Sequence, residues 1–118
     1  MRVLEDFKVN PANDTITVTV TDKPGAGGAN HEYEVKLPNG KITNISFQNG
    51  PIKEAGVNGL THEVLLSICM DRLRSFQAGP FSSRENALAL TKLEEAQHWL
   101  LHRTRGRMAR GVEGTHAA

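Results

Sequence analysis

The sequence predicts an α+β fold, in which a small N-terminal antiparallel sheet of about three to four strands precedes a C-terminal α-helical hairpin with a long second helix. Two hydrophobic patterns, and a break within the second, indicate this fold. Before residue 50, apolar residues alternate with polar ones, which is the period of a half-buried strand. From Leu60 onward, apolar residues recur every three to four positions, as in an amphipathic helix. Gly79 and Pro80 interrupt this second pattern and divide it into two helices.

Two segments alternate strictly and predict strands. Residues 15–21 place three aliphatic side chains on one face and four threonines on the other, and residues 31–37 alternate in the same way. The apolar residues are Ile16, Val18 and Val20 in the first segment and Tyr33, Val35 and Leu37 in the second. The Asn39-Gly40 pair that follows favours a tight hairpin turn between two strands.

Ile42, Ile45 and Phe47 predict a further strand. Their spacing of three and then two positions predicts a bulge near Thr43 and Asn44. Another strand over residues 3–9 has a weaker pattern. A connector with three glycines and a proline, residues 48–59, then leads to the helices.

The first helix is predicted from an apolar face that runs from Leu60 to Phe76. The other members of this face are Val64, Leu65, Ile68, Cys69 and Leu73. The segment Ser82-Ser83-Arg84-Glu85 matches a capping box, so the second helix is expected to begin there and to continue to Gly111. That length is about 28 residues, or roughly 42 Å, which extends about ten residues beyond the first helix. The far end must therefore project past its partner or pack on another chain.

A single domain, residues 1–118, is expected. It comprises the sheet in residues 1–50, the hairpin in residues 58–111 and a less ordered tail in residues 112–118. The net charge is +1, so no global field attracts nucleic acid. The one cysteine, Cys69, excludes an intrachain disulfide and is expected to be a small buried hydrophobe. The sequence contains no signal peptide and no apolar stretch of membrane-spanning length, which predicts a soluble, cytosolic protein.

Signals for catalysis and for metal binding are weak. His98 and His102 are four positions apart, but no third ligand stands at a recognised spacing. No nucleophile motif such as Gly-x-Ser-x-Gly is present. We therefore expect no catalytic residue, no cofactor and no metal ion, and we do not expect an enzyme.

The first candidate binding feature is a group of arginines near the end of the second helix. Its members are Arg103, Arg105, Arg107 and Arg110. Arg103 and Arg107 share a helix face, and no acidic residue follows until Glu113 to neutralise the group locally. Guanidinium groups bind phosphate through paired hydrogen bonds. A solvated helix end, where cations complement the helix dipole, explains the same pattern without a ligand.

Three further features also have two interpretations. Phe76 fits the apolar face of the first helix, but an aromatic ring beside a ligand can stack on a base. Asn86 is a poor helix former that is either an ordinary surface residue or a group that reads the edge of a purine. The glycine-rich loop, residues 24–28, could cradle phosphate with backbone amides or form a mobile flap, although it lacks the ending of a P-loop.

Several separated motifs resemble the Thoeris anti-defence family of phage proteins. The resemblance covers roughly residues 30–114. The motifs are Phe47-Gln48-Asn49-Gly50-Pro51-Ile52, Asn58-Gly59, Asp71-Arg72-Leu73, Phe76-Gln77-Ala78-Gly79-Pro80-Phe81, Arg84-Glu85-Asn86-Ala87-Leu88, Leu93-Glu94-Glu95-Ala96 and the arginine run that ends in Arg110-Gly111-Val112-Glu113-Gly114. This family is related through the hairpin to phage sponges that counter cyclic-oligonucleotide defence.

The resemblance implies a phage-encoded protein that sequesters a signal in the host cytoplasm without catalysis. Family members bind the cyclic ADP-ribose isomers made by Thoeris TIR-domain enzymes, and some also bind cyclic di- or trinucleotides in separate pockets between subunits. Carried over to this chain, Phe76 would be a stacking surface and Asn86 a contact to the base edge or ribose. Arg103 and Arg107 would hold the pyrophosphate. Four further candidate ligand contacts are Lys53, Arg84, Arg110 and Asn30.

The separation of these residues predicts a shared pocket. Asn86 and Arg103 are 17 positions apart on one helix, about 25 Å, which a dinucleotide-sized ligand does not easily span. An antiparallel pair of long helices would bring Arg103 and Arg107 of one chain beside Phe76 and Asn86 of another. A homodimer would then hold two equivalent pockets, and a trimer of dimers is the larger assembly considered.

Two alternatives remain at this stage. The same arginines would suit a nucleic-acid-binding accessory protein, although the net charge is nearly neutral and no recognised nucleic-acid motif is present. An enzyme that degrades a cyclic nucleotide is the other alternative, and recovery of a linearised product would identify it.

Overall fold

The structure, a computed structural model, describes residues 1–10 and 15–117. The chain divides into two compact units, Met1–Leu60 and Thr61–Ala118. The boundary between them lies close to the predicted start of the helical part. Within the described residues, no helix combines the length and the apolar character needed to cross a membrane.

The first unit contains a four-stranded antiparallel sheet, as predicted. Its strands are β1 (Arg2–Leu4), β2 (Thr17–Val20), β3 (Glu32–Lys36) and β4 (Ile42–Ser46), and their order in the sheet is the order in the chain. Each strand pairs with the next one in antiparallel register. The weak N-terminal pattern therefore does form a strand, but one of only three residues.

One face of the sheet carries the apolar residues that the alternation predicted. Val20 is opposite Tyr33, and Tyr33 is opposite Ile45, so these side chains share a face. Val20 is 1% exposed, and the rings of Tyr33 and Phe47 meet edge to face with their centroids 5.6 Å apart. This face forms the centre of the small apolar core of the first unit.

The bulge predicted near Thr43 and Asn44 is absent, and that prediction was wrong. The pairing of β3 with β4 is continuous from Lys36 opposite Ile42 to Glu32 opposite Ser46. Ile42 simply lies on the other face of the sheet from Ile45, and it is 47% exposed. A single exposed isoleucine in a strand is common and needs no bulge to explain it.

A hairpin does follow β3, but its turn has three residues between the paired positions. The Leu37 N–H donates to the Lys41 carbonyl and the Gly40 N–H donates to the Leu37 carbonyl. Gly40 has φ +88°, and no described residue other than glycine has a positive φ. A type I′ turn needs two consecutive positive φ angles, so this loop is of the three-residue kind that ends in a left-handed glycine.

The connector between the sheet and the hairpin is more ordered than its composition indicates. It contains a one-turn helix, α1 (Ile52–Ala55), which the sequence did not predict. The Gln48 side chain donates to the Gly56 carbonyl and accepts from the Asn58 N–H, and Asn58 bonds both backbone groups of Asn49. A Cβ on Gly59 would lie 2.4 Å from the Phe47 carbonyl carbon, so only glycine fits there.

The second unit contains the predicted helical hairpin, formed by α2 (His62–Gln77) and α3 (Arg84–Ala109). The helices have 16 and 26 residues, which confirms that the second is ten residues longer. The capping box was misplaced by one residue, because Ser83 rather than Ser82 is the N-cap and accepts a hydrogen bond from the Asn86 N–H. Glu85 is therefore not at the capping-box position.

The covered side of α2 overlaps the predicted apolar face only in part. The half-buried or buried residues of α2 are Glu63, Leu65, Leu66, Met70, Leu73, Phe76 and Gln77, and Leu65, Leu73 and Phe76 among them belong to the predicted face. Gln97 on α3 donates to the Glu63 carbonyl and to the Ser67 hydroxyl, each at 3.1 Å. Ile68 is 60% exposed and Cys69 is exposed, so the expectation that Cys69 is buried was wrong. Val64, Ile68 and Cys69 of the predicted face are therefore exposed, whereas Leu66 and Met70, outside it, are covered.

Candidate functional site

Phe76 and Asn86 lie at the same end of the hairpin, on either side of its turn. The Gln77 side chain holds this turn, since it donates to the Ser83 carbonyl at 3.1 Å and accepts from the Ser83 N–H at 3.0 Å. Ser83 in turn caps α3 through the Asn86 N–H at 3.0 Å. These bonds hold the turn that separates the two predicted site residues.

Phe76 is half-buried and is the penultimate residue of α2. The guanidinium carbon of Arg72 lies over this ring, 5.1 Å from its centroid. The proposed stacking surface therefore already contacts a planar cation. Asn86 is also half-buried, and its backbone, not its side chain, makes the capping bond.

The arginine group lies at the opposite end of α3. Arg103 and Arg105 are exposed, and neither side chain has a hydrogen-bond or ion-pair partner among residues 1–10 and 15–117. Arg110, the C-cap residue of α3, is also exposed. Because α3 is continuous, the distance of about 25 Å estimated between Asn86 and Arg103 applies to this helix.

Arg107 differs from its neighbours, because it is only 6% exposed. Its Nε donates to Glu113 Oε2 at 3.0 Å, and its Nη2 donates to the carbonyls of Val112 and Thr115, each at 2.9 Å. Its Nη1 donates to the Ala117 carbonyl. The sequence suggested that nothing local neutralises the arginines, and this is wrong for Arg107, which Glu113 neutralises.

The segment after α3 wraps around this guanidinium. Gly111 has φ +72°, its N–H donates to the Met108 carbonyl, and the Val112 N–H donates to the Arg107 carbonyl. These two bonds form a Schellman motif that reverses the chain. Residues 112–117 thus contact the helix end, the prediction of a less ordered tail stays a prediction, and Ala118 lies outside the described residues.

The lower-ranked candidates lie in several places. Lys53 is exposed on α1, and Arg84 is exposed at the first position of α3. Asn30 lies in the first unit, and both ends of its amide are engaged: Nδ2 donates to the Asp22 carbonyl at 2.8 Å and Oδ1 accepts from Arg2 at 2.9 Å. A role for any of these residues in binding stays a prediction.

The glycine-rich loop is ordered by its own hydrogen bonds. It contains a 3₁₀ turn, Ala26–Gly28. The Gly25 N–H donates to the Ala29 carbonyl, and the Gly28 N–H donates to the Gly25 carbonyl. The Ala26 N–H donates to the Asn49 side-chain oxygen. Buried His31 anchors it, with Nε2 3.0 Å from the Ala26 carbonyl oxygen. Three backbone donors that a phosphate cradle would need are therefore already used inside the protein.

Asp22 closes the base of the same loop. Its Oδ2 accepts a hydrogen bond from the His31 N–H at 2.9 Å. Burial by itself raises the pKa of this carboxyl, but the His31 bond and the neighbouring donors outweigh burial and lower the pKa below its ordinary value. A cavity of about 320 Å³ lies beside Asp22, and its lining includes Arg2, Lys23 and Asn30.

A heptad seam runs the length of α3 and connects the two ends. Its members, at alternating spacings of three and four, are Asn86, Ala89, Leu93, Ala96, Leu100, Arg103, Arg107 and Arg110. Such spacing places all of them on one narrow stripe of the helix. Ala89 and Ala96 are exposed, and Leu93 and Leu100 are half-buried. The stripe therefore has a partly exposed apolar centre, with an asparagine at one end and arginines at the other.

Groups that could hold a metal ion are not found in the described part of the chain, where no three His, Cys, Asp or Glu residues cluster.

The two ends of α3 differ in the groups that they present. The end at the hairpin turn has an aromatic ring and an amide, and the opposite end has positive charge. Sequence reasoning missed the Arg72–Phe76 contact, for which the four-residue spacing was the available signal.

Comparisons with known proteins agree with the motif pattern. A family model described as the Acb2/Tad1 hairpin domain matches residues 40–105, which is more than half of the chain. A protein of Bacillus phage SBSphiJ7, named Thoeris anti-defense 1, is 49% identical over 92 residues. The match covers 78% of this chain and 65% of that relative, so the chain spans just under two thirds of the relative's length.

Proposed function

The chain belongs to the Acb2/Tad1 hairpin-domain family, and from this premise we propose that it is a phage anti-defence protein that binds a cyclic nucleotide immune signal and sequesters it unchanged. The signal we propose is a cyclic ADP-ribose isomer of the Thoeris system. Phe76 would stack on a base, Asn86 would contact the base edge or ribose, and arginines would hold the pyrophosphate. A separate site for cyclic di- or trinucleotides belongs to the same proposal.

The observation that carries this proposal is the heptad seam of α3. In an antiparallel pair of α3 helices, Leu93 can face the partner's Ala96 and Leu100 the partner's Ala89, so that large side chains meet small ones. The same register places Asn86 opposite the partner's Arg103. The two ends of α3, about 25 Å apart within one chain, then meet at each end of the dimer.

The resulting composite pocket has the chemistry that a nucleotide diphosphate needs. Arg103 supplies an exposed guanidinium without a partner among the described residues. The partner's helix N-terminus lies opposite it in this register and adds the positive end of a helix dipole. Phe76 and Asn86, fixed by the Gln77 turn, supply an aromatic face and an amide. Two-fold symmetry gives two such pockets per dimer.

Arg107 enters this pocket in a different way from Arg103. Its guanidinium is already satisfied by Glu113 and by carbonyls of the tail. A ligand phosphate can reach Arg107 only by replacing the Glu113 carboxylate or by binding at the edge of the tail. Arg103 is therefore the arginine from which we expect the larger direct contribution to affinity.

The decisive experiment mixes the purified protein with lysate of cells whose Thoeris system has been activated. The protein is then recovered and heated, and the released compound is identified by mass spectrometry. We expect an intact cyclic ADP-ribose isomer that activates the Thoeris effector again. Recovery of a linear product would mean that the protein is an enzyme, and recovery of no nucleotide would contradict the proposal.

The nucleic-acid alternative is tested separately. The arginines at the end of α3 support it, but the net charge of +1 does not. Random duplex DNA at low salt is the probe, and we expect no gel shift at protein concentrations that saturate the cyclic nucleotide. A shift that weakens steeply with salt would favour the alternative.

A further inference from the structure

A cationic side chain covers the aromatic ring at the turn end of the hairpin. Arg72 and Phe76 are four residues apart on α2, so they share a helix face. The guanidinium carbon of Arg72 lies 5.1 Å from the centroid of the Phe76 ring. This distance is within the range of a cation–π contact. Phe76 is half-buried and Arg72 is exposed, so the arginine lies on the solvent side of the pair.

Arg72 has no other electrostatic partner in the described part of the chain. Arg74, two residues further on the same helix, differs in this respect, since its Nη2 lies 3.2 Å from Glu94 Oε2. Arg74 therefore contributes to the packing of α2 on α3, whereas Arg72 contacts the Phe76 ring. The arginine of the Asp71-Arg72-Leu73 motif thus has no structural role comparable to that of Arg74.

We propose that Arg72 is a further ligand contact, and that it closes over a purine base stacked on Phe76, so that the base lies between the ring and the guanidinium. This rests on the proposed function. A base between the two groups needs about 3.5 Å on each of its faces, so the Phe76 ring and the Arg72 guanidinium have to be roughly 7 Å apart. Arg72 has to retreat by about 2 Å from its present position, which a rotamer change of an exposed arginine achieves.

The planar shape of arginine is what this role needs. A guanidinium stacks on aromatic faces and is weakly hydrated, whereas the ammonium of lysine is a compact and strongly hydrated charge. Bases splayed out of a stack are commonly held between aromatic rings and arginine planes. In the free protein, Arg72 shields an aromatic surface that would otherwise be exposed, and it moves only slightly to admit a base.

The test measures binding of purified cyclic ADP-ribose isomers to wild-type protein and to three variants, R72A, R72K and R74A. Isothermal titration gives the affinity, and the absorbance of the purine band gives its stacking. We expect R72A to bind roughly 2- to 30-fold more weakly than wild type, with less hypochromism of the bound purine. R72K should resemble R72A, because it keeps the charge but loses the plane. R74A should bind like wild type.

The outcomes separate this inference from the proposed function. If wild type binds no isomer, the proposed function fails. If wild type binds and R72A matches it in affinity and hypochromism, only the role of Arg72 is overturned. Wild-type binding by R72K together with weak binding by R72A would replace stacking with a simple charge contact. Circular dichroism of each variant checks that the hairpin is folded.

Discussion

Arg103 and Arg107 have the same residue type and lie on the same side of α3, but their surroundings differ. Arg103 is exposed, whereas Arg107 is buried by residues 112–117. A buried guanidinium with satisfied donors stabilises the segment that surrounds it, and an exposed one without a partner is available to a ligand. The two residues should therefore respond differently to the same substitution.

The first prediction compares R103A, R107A and R105A. R103A should lose a charge-assisted phosphate contact, about 1.5–3 kcal/mol in ligand affinity, without a change in stability. R107A should lower the free energy of unfolding by about 1–3 kcal/mol, because Glu113 and the tail carbonyls lose their donors. R105A, an exposed arginine outside the heptad seam, is the control for charge alone. Titration calorimetry and urea unfolding measure the two effects.

Equal loss of affinity in R103A and R105A would indicate that only the summed charge matters. If the double variant R103A/R107A binds as tightly as wild type, the assignment of this pocket is wrong.

A second residue-scale prediction concerns pH and Asp22. The folded state lowers the pKa of this carboxyl below 3.8, its ordinary value. The ionised form therefore stabilises the fold at pH values above the ordinary pKa, and this contribution is lost as the pH falls through the folded pKa. We expect D22N to have a lower urea midpoint than wild type at pH 7 and nearly the same midpoint at pH values below the folded pKa. A midpoint difference that is independent of pH would contradict this account.

Among the elements, the start of α3 illustrates how local signals are resolved. Ser82 and Ser83 are adjacent, and either one could be an N-cap by residue type. The structure selects Ser83, because the Gln77 side chain bonds both backbone groups of Ser83 and orients its hydroxyl towards the Asn86 N–H. Asn86, a residue of the proposed site, is thus positioned by the Ser83 cap and by the two Gln77 hydrogen bonds.

The two serines provide a matched pair of variants. S83A should lower the free energy of unfolding by about 1 kcal/mol, because the N-terminal N–H groups of α3 lose their acceptor. S82A should change it by less than about 0.5 kcal/mol, since Ser82 is exposed and makes no cap. Urea unfolding followed by circular dichroism measures both. A larger effect for S82A would favour the capping box expected from sequence.

For the whole molecule, the proposal depends on a second copy of the chain. Half of the proposed pocket lies at each end of α3, and the stripe between them has exposed alanines and half-buried leucines at complementary positions. Exposed apolar stripes on a helix are typical of interfaces. A homodimer built on this stripe would complete two pockets, and both it and a trimer of dimers stay predictions.

The substitution A96E tests the dimer. It places a charge at the centre of the seam, where the charge would face the partner's Leu93. We therefore expect a monomer in light scattering. The cyclic ADP-ribose isomer should bind at least 100-fold more weakly, an effect of about 3 kcal/mol or more. A87E introduces the same charge on an exposed site of α3 outside the seam and should leave the dimer intact. A monomeric A96E that binds like wild type would rule out a pocket shared between subunits.

By itself, the sequence determined the four-stranded sheet, the two helices, their relative lengths and the family, because strand alternation, helix periodicity, Gly79-Pro80 and the motifs are all local patterns. The tertiary structure alone decided which stripe of α2 packs on α3, which serine caps α3, that β4 has no bulge and that Arg107 is enclosed by its own tail. Each of these depends on contacts through space. Cys69 is exposed and Met70 is buried, although both are apolar neighbours on one helix. The physical reason is that a helix has several apolar stripes to offer, and the free energy of packing against another surface selects one.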